Sequence, residues 1–158
     1  MRELWKECLS CESICCNQEI ATLLFVTDEE FKRISRKHPE EAKALKDGKM
    51  PCPFLKDNKL CSIHDIKPAD CRLFPFDIMK DGDKFYWIIR QIDCAILKDE
   101  NFEGYLCDLE EKIIPSLYPY MEAYSLYQWG DSVKVCNHKV LREVKVIKED
   151  TKPAFNTC

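Results

Sequence analysis

Residues 8–16 of this chain read Cys8-Leu9-Ser10-Cys11-Glu12-Ser13-Ile14-Cys15-Cys16. Four thiols in so short a stretch are too dense to be ordinary core packing. This density is typical of disulfide scaffolds and of metal centres, either zinc or iron–sulfur. Which of these chemistries applies decides how the surrounding chain folds and what the protein does.

The composition is that of a globular chain in solution. Hydrophobic residues make up 46% of the sequence and charged residues 33%, which is not typical of a disordered segment. With 158 residues, we expect one domain spanning 1–158 and large enough to bury a core. The formal net charge of -4 argues against bulk electrostatic binding to nucleic acid or to an anionic membrane.

The start of the chain predicts an intracellular protein. Residues 1–7, MRELWKE, carry acidic side chains and lead into cysteines, so they do not resemble a secretory signal. No run approaches the roughly 18 apolar residues of a transmembrane helix. We therefore expect a cytoplasmic location, where thiols stay reduced and clustered cysteines more often bind metal than form disulfides. The odd total of 11 cysteines also leaves one thiol unpaired in any scheme built only of disulfides.

Local patterns predict an α+β fold with a loop-rich metal-binding core, a β-hairpin and C-terminal helices. Thr27-Asp28-Glu29-Glu30 matches a capping box. Asp81-Gly82-Asp83 lies between two apolar runs and indicates a hairpin. Helices are predicted at about 28–36, 40–46, 68–73, 101–114 and 117–128, and strands at 76–80, 84–90, 133–135 and 144–147. Residues 19–26 are predicted either as a strand or as the start of a buried segment.

The spacing of the first cysteines and the backbone around the later ones are both typical of metal ligands. Cys8 and Cys11 form a C-x2-C pair, a spacing at which both thiolates reach one metal. Cys52, Cys61 and Cys71 each lie in a loop or at a helix start, flanked by proline or turn residues. Adjacent Cys15 and Cys16 point in different directions, which suits two neighbouring metal positions or one multinuclear cluster. Alternatively, one thiol of that adjacent pair serves only for packing.

A longer pattern resembles a known family. Its segments are the C-x2-C-x3-C-C run, then Cys52-Pro53-Phe54-Leu55, then C-x-I-H-x2-K-P-x2-C-R-x-F-P from Cys61 to Pro75. Together they resemble the CxxCxxCC (YkgJ-like) cysteine-cluster family, described as chelating zinc or iron. The resemblance covers about 8–94 and leaves 95–158 as a helical and tail extension. In one departure, three residues separate Cys11 from Cys15, where the family name implies two.

The resemblance implies a ligand set and a cofactor. The family pattern maps onto Cys8, Cys11, Cys15, Cys16, Cys52, Cys61, Cys71 and Cys94. A similar domain in flagellin lysine methylases is associated with an iron–sulfur cluster. The resemblance therefore implies an iron–sulfur cluster, with a 4Fe–4S cluster expected first and zinc as the alternative cofactor.

Several other residues near the cysteines have two interpretations each. His64 makes a C-x2-H spacing with Cys61 and is either a ligand or a packing and hydrogen-bonding group. Arg72 either donates to a cluster sulfur or forms an ion pair with Asp70 or Asp77. We expect three aromatic residues in the core: Phe54, Phe74 and Phe76. We expect His38 and His138 on the surface, and Cys107 as a buried packing residue. No role is assigned to Cys136 and Cys158.

Three functions compete at this point. The first is an iron–sulfur protein that transfers electrons or assists a partner enzyme. The second is a structural zinc module that presents a surface to other proteins. The third is a methylase-like protein-modification enzyme, which the resemblance alone suggests, because the chain contains no G-x-G-x-x-G, G-x-S-x-G or H-E-x-x-H motif. We expect a protein partner and no binding to nucleic acid or membrane.

Overall fold

The computed structural model of the chain describes residues 24–49, 51–57, 60–90, 94–98, 102–130 and 138–146. The chain divides into two compact units, Met1–Arg72 and Leu73–Cys158. The described residues combine helices with a three-stranded antiparallel sheet, which confirms the predicted α+β class. The single domain predicted for 1–158 stays a prediction.

Two short helices open the described part of the first unit. Helix α1 spans Asp28–Ser35 and begins with the predicted capping box, in which Thr27 Oγ1 accepts from Glu30 N–H. Helix α2 spans Pro39–Lys46, with proline in its first turn. Gly48 has φ +70°, and the N–H groups after the helix donate back to Leu45 and Ala44 carbonyls, as in a Schellman motif.

The remainder of the first unit is built of turns and short helices. A 3-10 helix spans His64–Ile66, and helix α3 spans Ala69–Leu73, as the proline at 68 predicted. These elements enclose a small apolar cluster formed by Ile34, Ala42, Leu45, Phe54 and Ile63. Leu24 and Val26 are half-buried against this cluster, so 24–26 is the start of a buried segment and not a strand. The rest of 19–26 lies outside the described residues.

The second unit contains the predicted hairpin. Strand β1 spans Phe76–Asp81 and pairs with strand β2, Lys84–Arg90, in a register that sets Asp81 opposite Lys84. Gly82 takes φ +62° in the turn, a conformation that favours glycine. Strand β3, His138–Glu143, pairs antiparallel with β2, with a register irregularity between Trp87 and Ile88.

Helices cover the outer edge of β1. A 3-10 helix spans Ala95–Lys98. Helix α4 spans Glu103–Lys112, and helix α5 spans Ile114–Leu117. A 3-10 turn, Tyr118–Tyr120, leads into helix α6, which spans Met121–Trp129. From α6, Ser125 Oγ accepts from Lys80 N–H at 2.9 Å and Trp129 Nε1 donates to Ile78 O at 3.1 Å. These bonds satisfy backbone groups that an edge strand would otherwise expose.

Two predictions about the C-terminal third need correction. Pro115 was expected to separate two helices, but it lies inside α5, because its missing N–H is harmless in a first turn. The strand expected at 144–147 is not formed over its described part, 144–146, and the strand lies just before it. Val144 is buried and its N–H donates to Phe85 O, while Lys145 N–H donates to Glu110. Residues 133–135 lie outside the described residues.

Candidate metal centre

The predicted ligands fall in different parts of the structure. Cys8, Cys11, Cys15 and Cys16 lie outside the described residues. Cys52, Cys61 and Cys71 lie in the first unit and Cys94 in the second, and all four cysteines are half-buried. Within the described residues, no three His, Cys, Asp or Glu side chains are grouped to hold a metal ion. The described chain therefore shows part of the predicted ligand set.

Cys52 begins a tight turn that directs backbone N–H groups at its own sulfur. Leu55 N–H lies 3.0 Å from Cys52 O, which closes the turn. The backbone N–H groups of Phe54 and Leu55 also lower the pKa of the Cys52 thiol, because hydrogen bonding to sulfur favours the charged form. Hydrogen bonds of this kind favour a charged sulfur, which is the form that binds metal.

Other influences on Cys52 act in the opposite direction. Burial raises the pKa of the Cys52 thiol above its ordinary value, and the neighbouring Cys61 thiolate raises the pKa further, whereas the two N–H donors lower it. The net direction is upward, so the metal-free thiol holds its proton more firmly than an exposed cysteine. A bound cation would reverse this balance, because a coordinating thiol is deprotonated.

A small antiparallel pairing brings Cys61 to the same place. Leu55 and Cys61 form a β-bridge, and Ser62 N–H donates to Phe54 O at 2.8 Å. Both cysteines pack against the apolar cluster of the first unit, whose member Phe54 is 3% exposed. His38, expected on the surface, is half-buried and its ring meets that of Phe54 edge-to-face at 5.6 Å. The site thus has two adjacent thiols on an apolar base.

Cys71 lies on α3, and two carboxylates hold the start of that helix. Ala69 N–H donates to Glu30 Oε1 at 2.7 Å. Phe25 N–H donates to Asp70 Oδ2 at 2.7 Å. Sequence reasoning identified Glu30 only as a capping residue, because its partner on α3 is 39 residues away.

His64 lies within the loop between Cys61 and Cys71, and Arg72 directly follows Cys71. Arg72 Nε donates to Lys67 O at 3.2 Å and Arg72 Nη2 to Asp65 O at 2.6 Å. These bonds hold the loop, a role that neither sequence interpretation of Arg72 included. The side chain of His64 is exposed at the start of the 3-10 helix, so it is not a packing group. Direct contact of Arg72 or His64 with a cofactor stays a prediction.

The other residues that we expected to be buried differ in how much of their side chains is exposed. Phe54 and Phe76 are buried as predicted, at 3% and 2% exposure. Phe74 is 36% exposed, because Leu73 and Phe76 occupy the buried positions around it. Cys107, expected as a buried packing thiol, is half-buried and disulfide-bonded. It lies outside the eight cysteines that the family pattern implies.

Comparison with known proteins gives the family. The profile of the CxxCxxCC family, described as "Putative zinc- or iron-chelating domain", matches residues 7–105, more than half of the chain. The chain belongs to the CxxCxxCC family. Among curated proteins and solved structures, none matches it. Within the described part of the chain, no helix combines the length and apolar character needed to cross a membrane.

The described residues of this CxxCxxCC protein fit the chemistry in the family description. Zinc and iron–sulfur clusters both prefer soft thiolate ligands. Cys52 and Cys61 provide two such thiols against the same apolar cluster, and the bridge between Leu55 and Cys61 brings Cys61 to the turn that begins at Cys52. Thiolates are suited to zinc or iron and poorly suited to magnesium or calcium, which prefer oxygen ligands.

Proposed function

We propose that this protein binds an iron–sulfur cluster through cysteine thiolates and uses it to transfer electrons or to assist a partner enzyme. Cys52, Cys61 and Cys71 are the described ligands, and Cys8, Cys11, Cys15, Cys16 and Cys94 complete the proposed set. A 4Fe–4S cluster takes four of these thiolates, and the others then serve a second site or a structural role.

The observation that carries this proposal is the pairing of Cys52 with Cys61. The bridge between Leu55 and Cys61 brings Cys61 to the turn that begins at Cys52, and both cysteines pack against the same apolar cluster. Backbone N–H groups of that turn lower the pKa of the Cys52 thiol, and hydrogen bonds to ligand sulfurs are a means by which proteins set a cluster's reduction potential. The buried Phe54 ring beneath them limits access of water.

Each part of the site then has a task. When bound, an iron–sulfur cluster supplies one-electron chemistry. The turn at 52–55 orients one sulfur, and the bridge orients Cys61. Arg72 holds the carbonyls of Asp65 and Lys67 and so fixes the loop that leads to α3. These residues position ligands.

The proposal includes a protein partner and a cytoplasmic location. Electron transfer needs a donor or acceptor, and the net charge of -4 makes nucleic acid a poor candidate for the partner. A reducing compartment keeps ligand thiols available for metal.

A structural zinc module is the second candidate, and the build of the first unit's described part favours it. Its described elements are short helices and turns around a cluster of buried apolar residues, Ile34, Ala42, Leu45, Phe54 and Ile63. Loop-rich small domains often depend on structural zinc for folding. Cys52 and Cys61, which pack against this cluster, would supply two ligands of a four-cysteine zinc site.

Anaerobic purification tests the proposal and separates the two metals. We expect brown protein with broad visible absorbance that dithionite bleaches, and iron and inorganic sulfide in the metal analysis. Colourless protein with stoichiometric zinc would contradict the iron–sulfur proposal and support the zinc module. Protein without bound metal after anaerobic purification and reconstitution with iron and sulfide would contradict both.

A further inference from the structure

We propose that Glu30 and Asp70 are positioning residues of the metal centre. Their carboxylates fasten the start of α3, which carries Cys71, to the segment at 25–30. We call this pair of contacts the carboxylate clamp. The inference rests on the proposed function, because it concerns how a metal-ligating cysteine is held in place.

Glu30 uses both carboxylate oxygens. Its Oε2 accepts from Thr27 N–H at 2.9 Å, which is the ordinary second half of a capping box. Its Oε1 accepts from Ala69 N–H at 2.7 Å. The capping box needs one oxygen only, so the bond to Ala69 is a separate contact. Glu30 is 8% exposed, and a buried carboxylate requires such partners.

Asp70 makes the reciprocal contact. Its Oδ2 accepts from Phe25 N–H at 2.7 Å, across 45 residues of sequence. One carboxylate therefore reaches from α1 to α3, and the other reaches from α3 to the segment before α1. Both bonds join an ionised acceptor to a backbone donor, a type that is shorter and stronger than a neutral hydrogen bond.

The clamp fixes the backbone next to one predicted ligand, Cys71. Cys71 directly follows Asp70 and lies two residues after Ala69, so the clamp fixes the backbone from which its thiol projects. Phe25 and Thr27 belong to the segment that links the cysteine run at 8–16 to α1. Residues that orient metal ligands from outside the ligand set typically affect metal affinity by about 10–100-fold.

Cobalt binding tests this role on the full-length chain. Metal-free protein is titrated anaerobically with Co²⁺, whose thiolate charge-transfer absorbance grows with the number of bound thiolates. Glu30→Gln keeps the shape of the side chain but leaves one carbonyl oxygen for two N–H donors, and Asp70→Asn weakens the second contact. Glu41→Gln, at an exposed position on α2, is the matched control, and Cys71→Ser is the reference for a missing thiolate.

We expect Glu41→Gln to match wild type. Glu30→Gln and Asp70→Asn should bind cobalt about 10–100-fold more weakly and lose the same share of absorbance as Cys71→Ser. Circular dichroism at the titration temperature establishes that each variant is folded. If Glu30→Gln fails to fold, Asp70→Asn, which retains the capping box, decides the test alone.

Two results would overturn the inference, and they are distinguishable. Folded clamp variants with wild-type absorbance and affinity, beside a weakened Cys71→Ser, would show that the clamp only stabilises the fold, and the proposed function would stand. Wild-type protein that binds no cobalt, or Cys71→Ser with undiminished absorbance, would remove Cys71 from the ligand set and the inference with it.

Discussion

The segment at 51–72 and the hairpin of β1 and β2 are stabilised by different means. In 51–72 the regular structure is a 3-10 helix and the short α3, and individual side-chain bonds such as those of Arg72 hold the loops. In the hairpin, a continuous antiparallel ladder carries Ile78, Trp87 and Ile88, each 0% exposed.

The difference indicates where a metal contributes most. The hairpin buries large apolar side chains, which is the main favourable contribution to folding. The 51–72 segment packs half-buried thiols on a small cluster and depends on polar contacts. Metal binding and folding are coupled where ligands converge from loops, so we expect the metal to stabilise 51–72 and to leave the hairpin nearly unchanged.

Removal of the paired thiols should have the largest effect. In Cys52→Ser/Cys61→Ser, we expect metal content to fall by more than half, because two proposed ligands that pack against the same apolar cluster are lost. Cys158→Ser, outside the family match, is the control and should keep the wild-type ratio. Metal and sulfide analysis of anaerobically purified protein measures the metal-to-protein ratio. An unchanged ratio in the double variant would contradict the expectation that the metal stabilises 51–72 and not the hairpin.

Extraction of the metal should affect one region selectively. With a strong chelator under anaerobic conditions, amide hydrogen exchange in 51–72 should accelerate by tenfold or more, on the order of the loss of about 1.4 kcal/mol of local stability. Peptides of β1 and β2 should retain their protection. Equal acceleration in both regions would mean that the metal stabilises the chain as a whole.

The same contrast explains what the sequence could predict. The capping box at Thr27, the end of α2 at Gly48 and the turn at Gly82 depend on neighbouring residues, and all three are confirmed. Strand β3 was missed because it forms by pairing with β2, with a register irregularity, and its Val140 is 47% exposed. Alternation of apolar residues gives no signal for such a strand.

For the candidate site, spacing and resemblance identified the cysteines but not their surroundings. The turn residues after Cys52 predicted a reversal of the chain, and the structure shows that reversal setting Leu55 against Cys61. The bond from Ala69 to Glu30 joins residues that are distant in sequence, so no local rule could indicate it. Arg72 was read as a cofactor or ion-pair residue, whereas its described bonds go to backbone carbonyls.

A cavity in the second unit should lower stability without touching the metal. Leu109 on α4 is 0% exposed, and Leu109→Ala should cost about 2–5 kcal/mol of unfolding free energy. We expect the metal ratio of the folded protein to stay at the wild-type value. Urea denaturation with metal analysis measures both, and a parallel loss of metal would show that the two regions are not separable in this way.

The smallest expected effect is an acid-dependent one. A hydrogen bond from Arg142 lowers the pKa of Glu103, and burial opposes this shift. A lowered pKa stabilises the fold above the ordinary carboxylate range and loses that contribution as pH falls through the folded-state value. Because Glu103 is 51% exposed, Glu103→Gln should cost only about 0.2–1 kcal/mol near pH 7.

The difference in unfolding free energy between wild type and Glu103→Gln near pH 7 should narrow at a pH below the ordinary carboxylate range, where the carboxylate of the wild type is being protonated. Urea titrations at the two pH values give this difference. A gap that widens on acidification would contradict the sign of the pKa shift.

The central claim is that thiolates of the paired cysteines bind a metal. X-ray absorption of anaerobically purified protein tests it directly, because the edge identifies iron or zinc and the fine structure identifies the ligand atoms. The account predicts a first shell of sulfur at about 2.3 Å that loses amplitude in Cys52→Ser/Cys61→Ser. A shell of only nitrogen and oxygen at about 2.0–2.2 Å, unaltered in that variant, would contradict it.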